Sequence, residues 1–130
     1  MKKVAVVGSG VVGQALADGF LKHGYEVIRA SRDPSKLADW KKGAGAKAAT
    51  GTPADATKAA DLVVLAVKGA GAEEAVAACA DGLSGKTVLD TTNPISNAPP
   101  THGVLSFFTS LDDSLMERLQ RKAPKAHFVK

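Results

Sequence analysis

The sequence predicts a doubly wound α/β fold, a single domain over residues 1–130 built on a parallel sheet of about six strands. Three observations lead there. The strongest apolar runs are short, β-branched and continuous rather than alternating, which marks strands covered on both faces. Stretches with helical periodicity separate them, so strands follow one another through crossover helices, as parallel pairing requires. Gly, Pro and Asp punctuate the joins. With 130 residues, the chain can hide roughly two-thirds of its unfolded surface in one core.

Val4-Ala5-Val6-Val7 is the first such run, and Val12, Leu16, Gly19 and Phe20 then recur at helical spacing, with Gly24 placed to end that helix. Glu26–Ala30 is the second strand. Asp33 before Pro34 reads as an N-cap followed by proline at the first helical position, and Leu37 and Trp40 fall on one face of the short helix it opens. Ala46–Ala49 is a weaker strand signal. Thr52-Pro53-Ala54-Asp55 repeats the helix-start pattern, and Leu62–Val67 is a further continuous apolar run. Glu73 and Glu74 are expected to open the next helix, where acidic charge favours the positive dipole end. It runs through Ala75, Val76, Cys79 and Leu83 towards Gly85. Thr87–Leu89 is the fifth strand. Asn93 to Thr109, with Pro94, Pro99, Pro100 and Gly103, has no period and reads as a long loop at the edge where such folds bind ligands. A last helix is expected from Ser110, carrying Leu111, Leu115 and Leu119 until Pro124 stops it, and His127–Val129 forms the sixth strand.

Composition narrows the function classes. The chain is 45% apolar and 23% charged, with a net charge of +4 that gathers into no run of one sign, so nucleic acid is not the favoured partner. The lone Cys79 has no internal disulfide partner, and the start MKKVAVVGSG lacks the pattern of a secretory signal. Both point to a reducing cytoplasm. No apolar run approaches the ~20 residues a bilayer span needs, so no membrane role is expected.

Gly8-Ser9-Gly10-Val11-Val12-Gly13 has the spacing G-x-G-x-x-G. The spacing alone is weak. Its context strengthens it: the first glycine follows a buried strand, the third lies in the first turn of an amphipathic helix, and a second strand comes at the right distance. This is the dinucleotide-binding arrangement of Rossmann domains. Gly8 permits the tight turn, Gly10 lets the backbone approach a pyrophosphate, and Gly13 lets helix and strand pack closely. Ser9, Val11 and Val12 supply the intervening backbone, whose N–H groups face the diphosphate along with the helix dipole.

The end of the second strand discriminates between the two nicotinamide dinucleotides. NAD sites usually place an acid there to bond both ribose hydroxyls. Here Ala30-Ser31-Arg32 stands instead, with Arg32 nineteen residues beyond Gly13. A carboxylate would repel a 2′-phosphate, whereas a hydroxyl donor and a guanidinium fork hold it. Lys36 can add a point charge or can be an ordinary surface lysine. The expected cofactor is NADP(H).

These residues resemble the family of NADP oxidoreductases that use the deazaflavin coenzyme F-420. The likeness rests on Gly8–Gly13, on Ala30-Ser31-Arg32-Asp33-Pro34, on Ala66-Val67-Lys68, on Asp90-Thr91-Thr92-Asn93-Pro94-Ile95 and on the closing Phe128-Val129-Lys130, and so covers nearly the whole chain. The resemblance implies that Ser31, Arg32 and Lys36 hold the 2′-phosphate, that Ala66, Val67 and Lys68 lie beside the adenine ribose and diphosphate, and that Asn93 and Pro94 border the nicotinamide. It also implies coenzyme F-420 as co-substrate. Asn93 is equally a residue that bonds its own backbone before a proline, and Lys68 equally a plain strand-end cation.

No nucleophile, base and orienter set is evident, so no catalytic side chain is assigned. Hydride transfer between two bound cofactors demands none, since the reactivity belongs to the cofactors. His102 lies in the proline-bearing loop, where a solvent-facing histidine is the common outcome. His23, His127 and Cys79 show no metal-ligand spacing, and no metal is expected. Relatives continue past the position of Lys130 to complete the deazaflavin pocket, so these residues correspond to half of a site. An open sheet edge and an uncovered apolar face favour self-association, of which a homodimer is one form. The alternative function is a non-catalytic, NADP(H)-binding or redox-sensing module.

Overall fold

A computed structural model describes all residues, 1–130. The strands are β1 (Lys3–Val7), β2 (Glu26–Ala30), β3 (Ala48–Gly51), β4 (Leu62–Leu65), β5 (Thr87–Asp90) and β6 (His127–Val129). The helices are α1 (Val11–Lys22), α2 (Ala38–Gly43), α3 (Pro53–Ala59), α4 (Gly69–Leu83) and α5 (Leu115–Lys122), with a 3₁₀ turn over Pro34–Leu37 leading into α2. The six strands form one sheet in the order β3-β2-β1-β4-β5-β6, and every neighbouring pair is parallel. The chain winds outward from β1 to β3, then returns across it to lay down β4, β5 and β6. The order therefore reverses between β1 and β4, and a crevice opens beyond their C-terminal ends.

The continuous apolar runs form strands because both faces of the sheet are covered. Val4 and Val6 pack with Val27, Leu62, Val64 and the Ala17 face of α1. Ala5 and Val7 turn the other way, onto a cluster that includes Val63, Leu65, Val76, Leu83, Val88, Leu115 and Leu119. Alanine and glycine bring α3 and α4 close together: a methyl on Gly82 would stand 2.2 Å from Thr57 Oγ1.

Element boundaries differ from expectation where tertiary contact overrides local signals. The buried stripe of α1 starts at Gly13 and Ala17, while Val11 and Val12 are exposed beside the crevice, so Val12 is not part of the core face. β3 lies two residues later than the alanine run suggested: Gly45, at φ 86°, turns the chain and pairing with β2 sets the register at Val27↔Ala48. β4 stops at Leu65, because Ala66–Lys68 leave the ladder to enter α4. That helix opens at Gly69, four residues before Glu73, through a backbone crossing that acidic residues do not signal.

α5 begins at Leu115 and not at Ser110, whose hydroxyl bonds Asp112 instead, and Leu111 is fully exposed. Ser114 is the cap: its Oγ accepts from Glu117 N at 3.2 Å while Glu117 Oε2 accepts from Ser114 N at 2.6 Å, a reciprocal capping box. Ser114→Ala is expected to lower stability by about 1 kcal/mol, measurable by urea denaturation. The start signals at Asp33 and Thr52 hold, since each side chain accepts from the backbone N–H two or three residues on. No helix is long and apolar enough to cross a membrane.

Candidate functional site

Three loops build the rim of the crevice, and close backbone contacts weld them together. The turn after β1 carries Gly8 at φ 142°, buried against the loop after β4, so that a Cβ on Gly8 would lie 2.1 Å from the Ala66 carbonyl oxygen. The loop after β4 meets the loop after β5 in the same way: a Cβ on Gly69 would lie 1.8 Å from Asn93 O. Gly13 sits over the first of these turns, where a Cβ would come within 2.8 Å of Gly8 O. Gly10 is different. Its backbone is extended (φ −83°, ψ −176°) and a Cβ there would meet nothing within 4 Å, because the space in front of it is open. The motif thus divides into two glycines required by the protein's own packing and one whose lack of a side chain leaves room for something else.

Around that opening, Ser9, Gly10, Val11 and Val12 are exposed. Neither the Ser9 nor the Val11 amide donates a hydrogen bond within the chain. Helix α1 has no side-chain cap, so its first-turn N–H groups also face outward. An anion with several oxygens suits such a surface.

Ser31 and Arg32 lie beyond the end of β2, beside the turn. Ser31 Oγ accepts from Asp33 N at 3.3 Å, and Asp33 caps the following 3₁₀ turn through Ser35. Hydrogen bonds from Ser35 hold the Asp33 carboxyl below the usual carboxylate range, with the nearby Lys36 charge acting in the same direction. Asp33 is thereby committed to capping. Arg32 reaches across to α4, where its Nη1 lies 3.2 Å from Glu74 Oε1, and both side chains are largely exposed. Lys36 is exposed without an ion-pair partner. On the far side, Ala66 remains tied to β1 by a 2.8 Å bond to Val7 O, Val67 is half-buried and Lys68 is exposed at the start of α4. The Asn93 side chain makes no hydrogen bond in the chain, which departs from the local turn device open to it, while its carbonyl accepts from Ile95 N. Pro94 is half-buried and its carbonyl accepts from Phe108 N. The crossing at Gly69 brings Asn93 and the start of α4 to one place.

The remaining candidates fall elsewhere. His102 is exposed at the tip of a turn in the 93–109 loop, with φ 52°. Cys79 is buried in α4, where desolvation pushes its thiol up to about 11, so it packs as an inert side chain. No group of three or more His, Cys, Asp or Glu side chains is arranged around a common point for a metal.

Two participants escaped the sequence reading. Glu74 was expected only as a helix-start acid, and its pairing with Arg32 depends on a contact across forty-two positions. Arg29, read as part of an apolar strand, is 1% exposed beneath the glycine turn, and its Nη2 donates to Gly8 O and Gly10 O, each at 3.2 Å. The available signal was a charge inside a strand covered on both faces.

Known proteins resemble this chain in sequence and fold. Residues 3–94 match the family model described as NADP oxidoreductase, coenzyme F-420-dependent. A solved structure from Arthrobacter sp. FB24, described there as an F-420-dependent NADP reductase by assignment, is 30% identical with a TM-score of 0.86. The alignment covers 98% of this chain and 61% of that one. A hypothetical protein from Sinorhizobium meliloti is 27% identical at a TM-score of 0.81, over 98% of this chain and 60% of that one. A reductive aminase from Aspergillus terreus, solved with NADPH and ethyl levulinate, is 25% identical at 0.69, over 98% and 39%. The chain therefore spans about three-fifths of the first two structures. No curated protein matches it. With more than half of its residues matched by the family model and the six-stranded Rossmann-like sheet in place, the chain belongs to the coenzyme F-420-dependent NADP oxidoreductase family.

Proposed function

We propose that the rim binds NADP(H) and that the protein transfers a hydride between it and a second acceptor, the deazaflavin coenzyme F-420 by family membership. The observation that carries this reading is the Ser31-Arg32 pair closing β2, where a carboxylate would serve NAD. The open space before Gly10 fits a pyrophosphate pressed against bare backbone. In this reading the amides of Ser9, Val11, Val12 and Gly13 receive the diphosphate. Ser31, Arg32 and Lys36 receive the 2′-phosphate, Ala66, Val67 and Lys68 flank the adenine ribose and diphosphate, and Asn93 and Pro94 border the nicotinamide. Bound NADPH supplies a hydride from the C4 of its nicotinamide. The protein's residues orient that ring and keep water from it, which is the usual contribution of a protein to cofactor chemistry.

Arg32 must exchange Glu74 for phosphate in this scheme. An exposed ion pair is worth about 0–1 kcal/mol, whereas charge-assisted bonds from a guanidinium fork to a phosphate reach about 1.5–3 kcal/mol, so the exchange is favourable. The test is calorimetric titration with NADPH and NADH. NADPH is expected to bind more tightly, and Arg32→Ala is expected to weaken NADPH by about tenfold or more while leaving NADH nearly unchanged. Equal or tighter NADH binding by the unaltered protein overturns the assignment. Mixing the NADPH complex with oxidised deazaflavin, or with carbonyl and imine acceptors, then tests the chemistry. Tight binding without transfer to any of them makes the protein a binding module instead.

A further inference from the structure

A cation sits buried under the glycine turn with no acid to pair it. Arg29 is 1% exposed on β2, its Nε has no hydrogen-bond partner, and it forms no salt bridge. Its neighbours are the Gly8 and Gly10 carbonyls, at 3.2 Å from Nη2, and the Trp40 ring, whose centroid lies 5.1 Å from the guanidinium carbon. Trp40 is held in turn by a 2.8 Å bond from its Nε1 to Asp18 Oδ1. Burying a charge is costly, and an apolar side chain of similar size would fill such a space at no such cost. Burial accordingly lowers the Arg29 pKa from its ordinary value, with Asp18 opposing.

What the guanidinium achieves follows from peptide geometry. In a planar trans peptide the C=O and the following N–H point in opposite directions. Drawing the Gly8 carbonyl inward aims Ser9 N–H outward, and drawing the Gly10 carbonyl inward does the same for Val11 N–H. Neither of these amides finds an acceptor within the chain. The same charge, in a medium of low polarity, raises the potential at the mouth of the turn.

We propose that Arg29 is a positioning residue of the dinucleotide site, a buried guanidinium whose Nη2 holds two carbonyls of the glycine turn so that the Ser9 and Val11 amides are presented to a diphosphate. This rests on the dinucleotide reading of the rim. It adds that affinity for the diphosphate portion depends on a side chain that never touches the ligand.

The test compares Arg29→Met and Arg29→Lys with the unaltered protein by calorimetric titration of three probes: NADPH, ADP, which has the diphosphate alone, and 2′-AMP, which has the 2′-phosphate without a diphosphate. Thermal melting is followed alongside. Arg29→Met is expected to weaken NADPH and ADP by about tenfold or more and to leave 2′-AMP within about twofold. Arg29→Lys, which keeps the charge but not the planar guanidinium, falls between. A folded Arg29→Met that binds ADP and NADPH as the unaltered protein does overturns the proposal. So does a parallel loss of all three probes, which marks a merely structural role. Should Arg29→Met not fold, Arg29→Lys decides on the same contrast: selective weakening of ADP supports the proposal, and unchanged ADP binding overturns it. Unaltered protein that binds ADP as tightly as NADPH sinks the 2′-phosphate assignment but leaves the Arg29 comparison intact on ADP. Unaltered protein that binds neither overturns both.

Discussion

Gly10→Ala is expected to abolish useful NADPH binding, by about a hundredfold or more, while stability changes by no more than about 0.5 kcal/mol. The two halves of this expectation have separate causes. Gly10 has backbone angles that any residue adopts, and a Cβ there meets no protein atom within 4 Å. Alanine also reduces the freedom of the unfolded chain, so the variant can even gain slightly in stability. In the proposed site the methyl group stands instead where a pyrophosphate comes within hydrogen-bonding distance of the turn. It keeps the ligand from the Ser9 and Val11 amides without disturbing either. Calorimetric titration with NADPH and a melting curve on the same sample separate the effects. An unchanged melting temperature with unchanged affinity removes the glycine turn from the binding site.

Gly8→Ala is expected to do the reverse, destabilising the chain by about 3 kcal/mol or more, irrespective of ligand. The backbone at Gly8 has φ 142°, a conformation that side-chain-bearing residues rarely adopt, and the added carbon would overlap the Ala66 carbonyl at 2.1 Å. Neither neighbour can yield cheaply. Gly8 N is bonded to Ala30 O at 2.9 Å, and Ala66 N to Val7 O at 2.8 Å, so relief of the clash pulls β1 away from β2 or β4. In a domain of this size the loss corresponds to a fall in melting temperature of about 10 °C or more. A variant that melts within a few degrees of the original would show that the contact between the two loops is soft.

The fold was largely legible because the two layers of the core leave a mark at every position of the central strands. Val4 to Val7 alternate between α1 on one face and the α3–α4–α5 side on the other, and a run apolar at every position reports that directly. Boundaries were legible where a side chain makes the boundary, as at Asp33 and Thr52. They were missed where backbone packing makes it: α4 starts at Gly69 because it can cross Asn93 there, and no capping side chain announces it. Ser110 has a hydroxyl that could accept a backbone N–H near Asp113, but Ser114 is the residue with Glu117 at the position that completes the box. At the site, the glycines and the Ser31-Arg32 pair could be located by spacing, since spacing along consecutive β-α units carries them to one edge of the sheet. Arg29 and Glu74 could not, because their partners are chosen by the third dimension.

The strand order also governs how the molecule is made. Val4 pairs with Val27 on one side and Leu62 on the other, so the first of these six strands to leave a ribosome lies inside the sheet and waits longest among them for its second neighbour. Until β4 emerges, a nascent chain can assemble only the β1-β2-β3 half, with one flank of its most apolar strand bare. An unpaired edge of that kind is prone to join other chains. Vectorial synthesis therefore leaves that flank of β1 bare through the interval between release of β3 and release of β4, and a pause in translation there would prolong it.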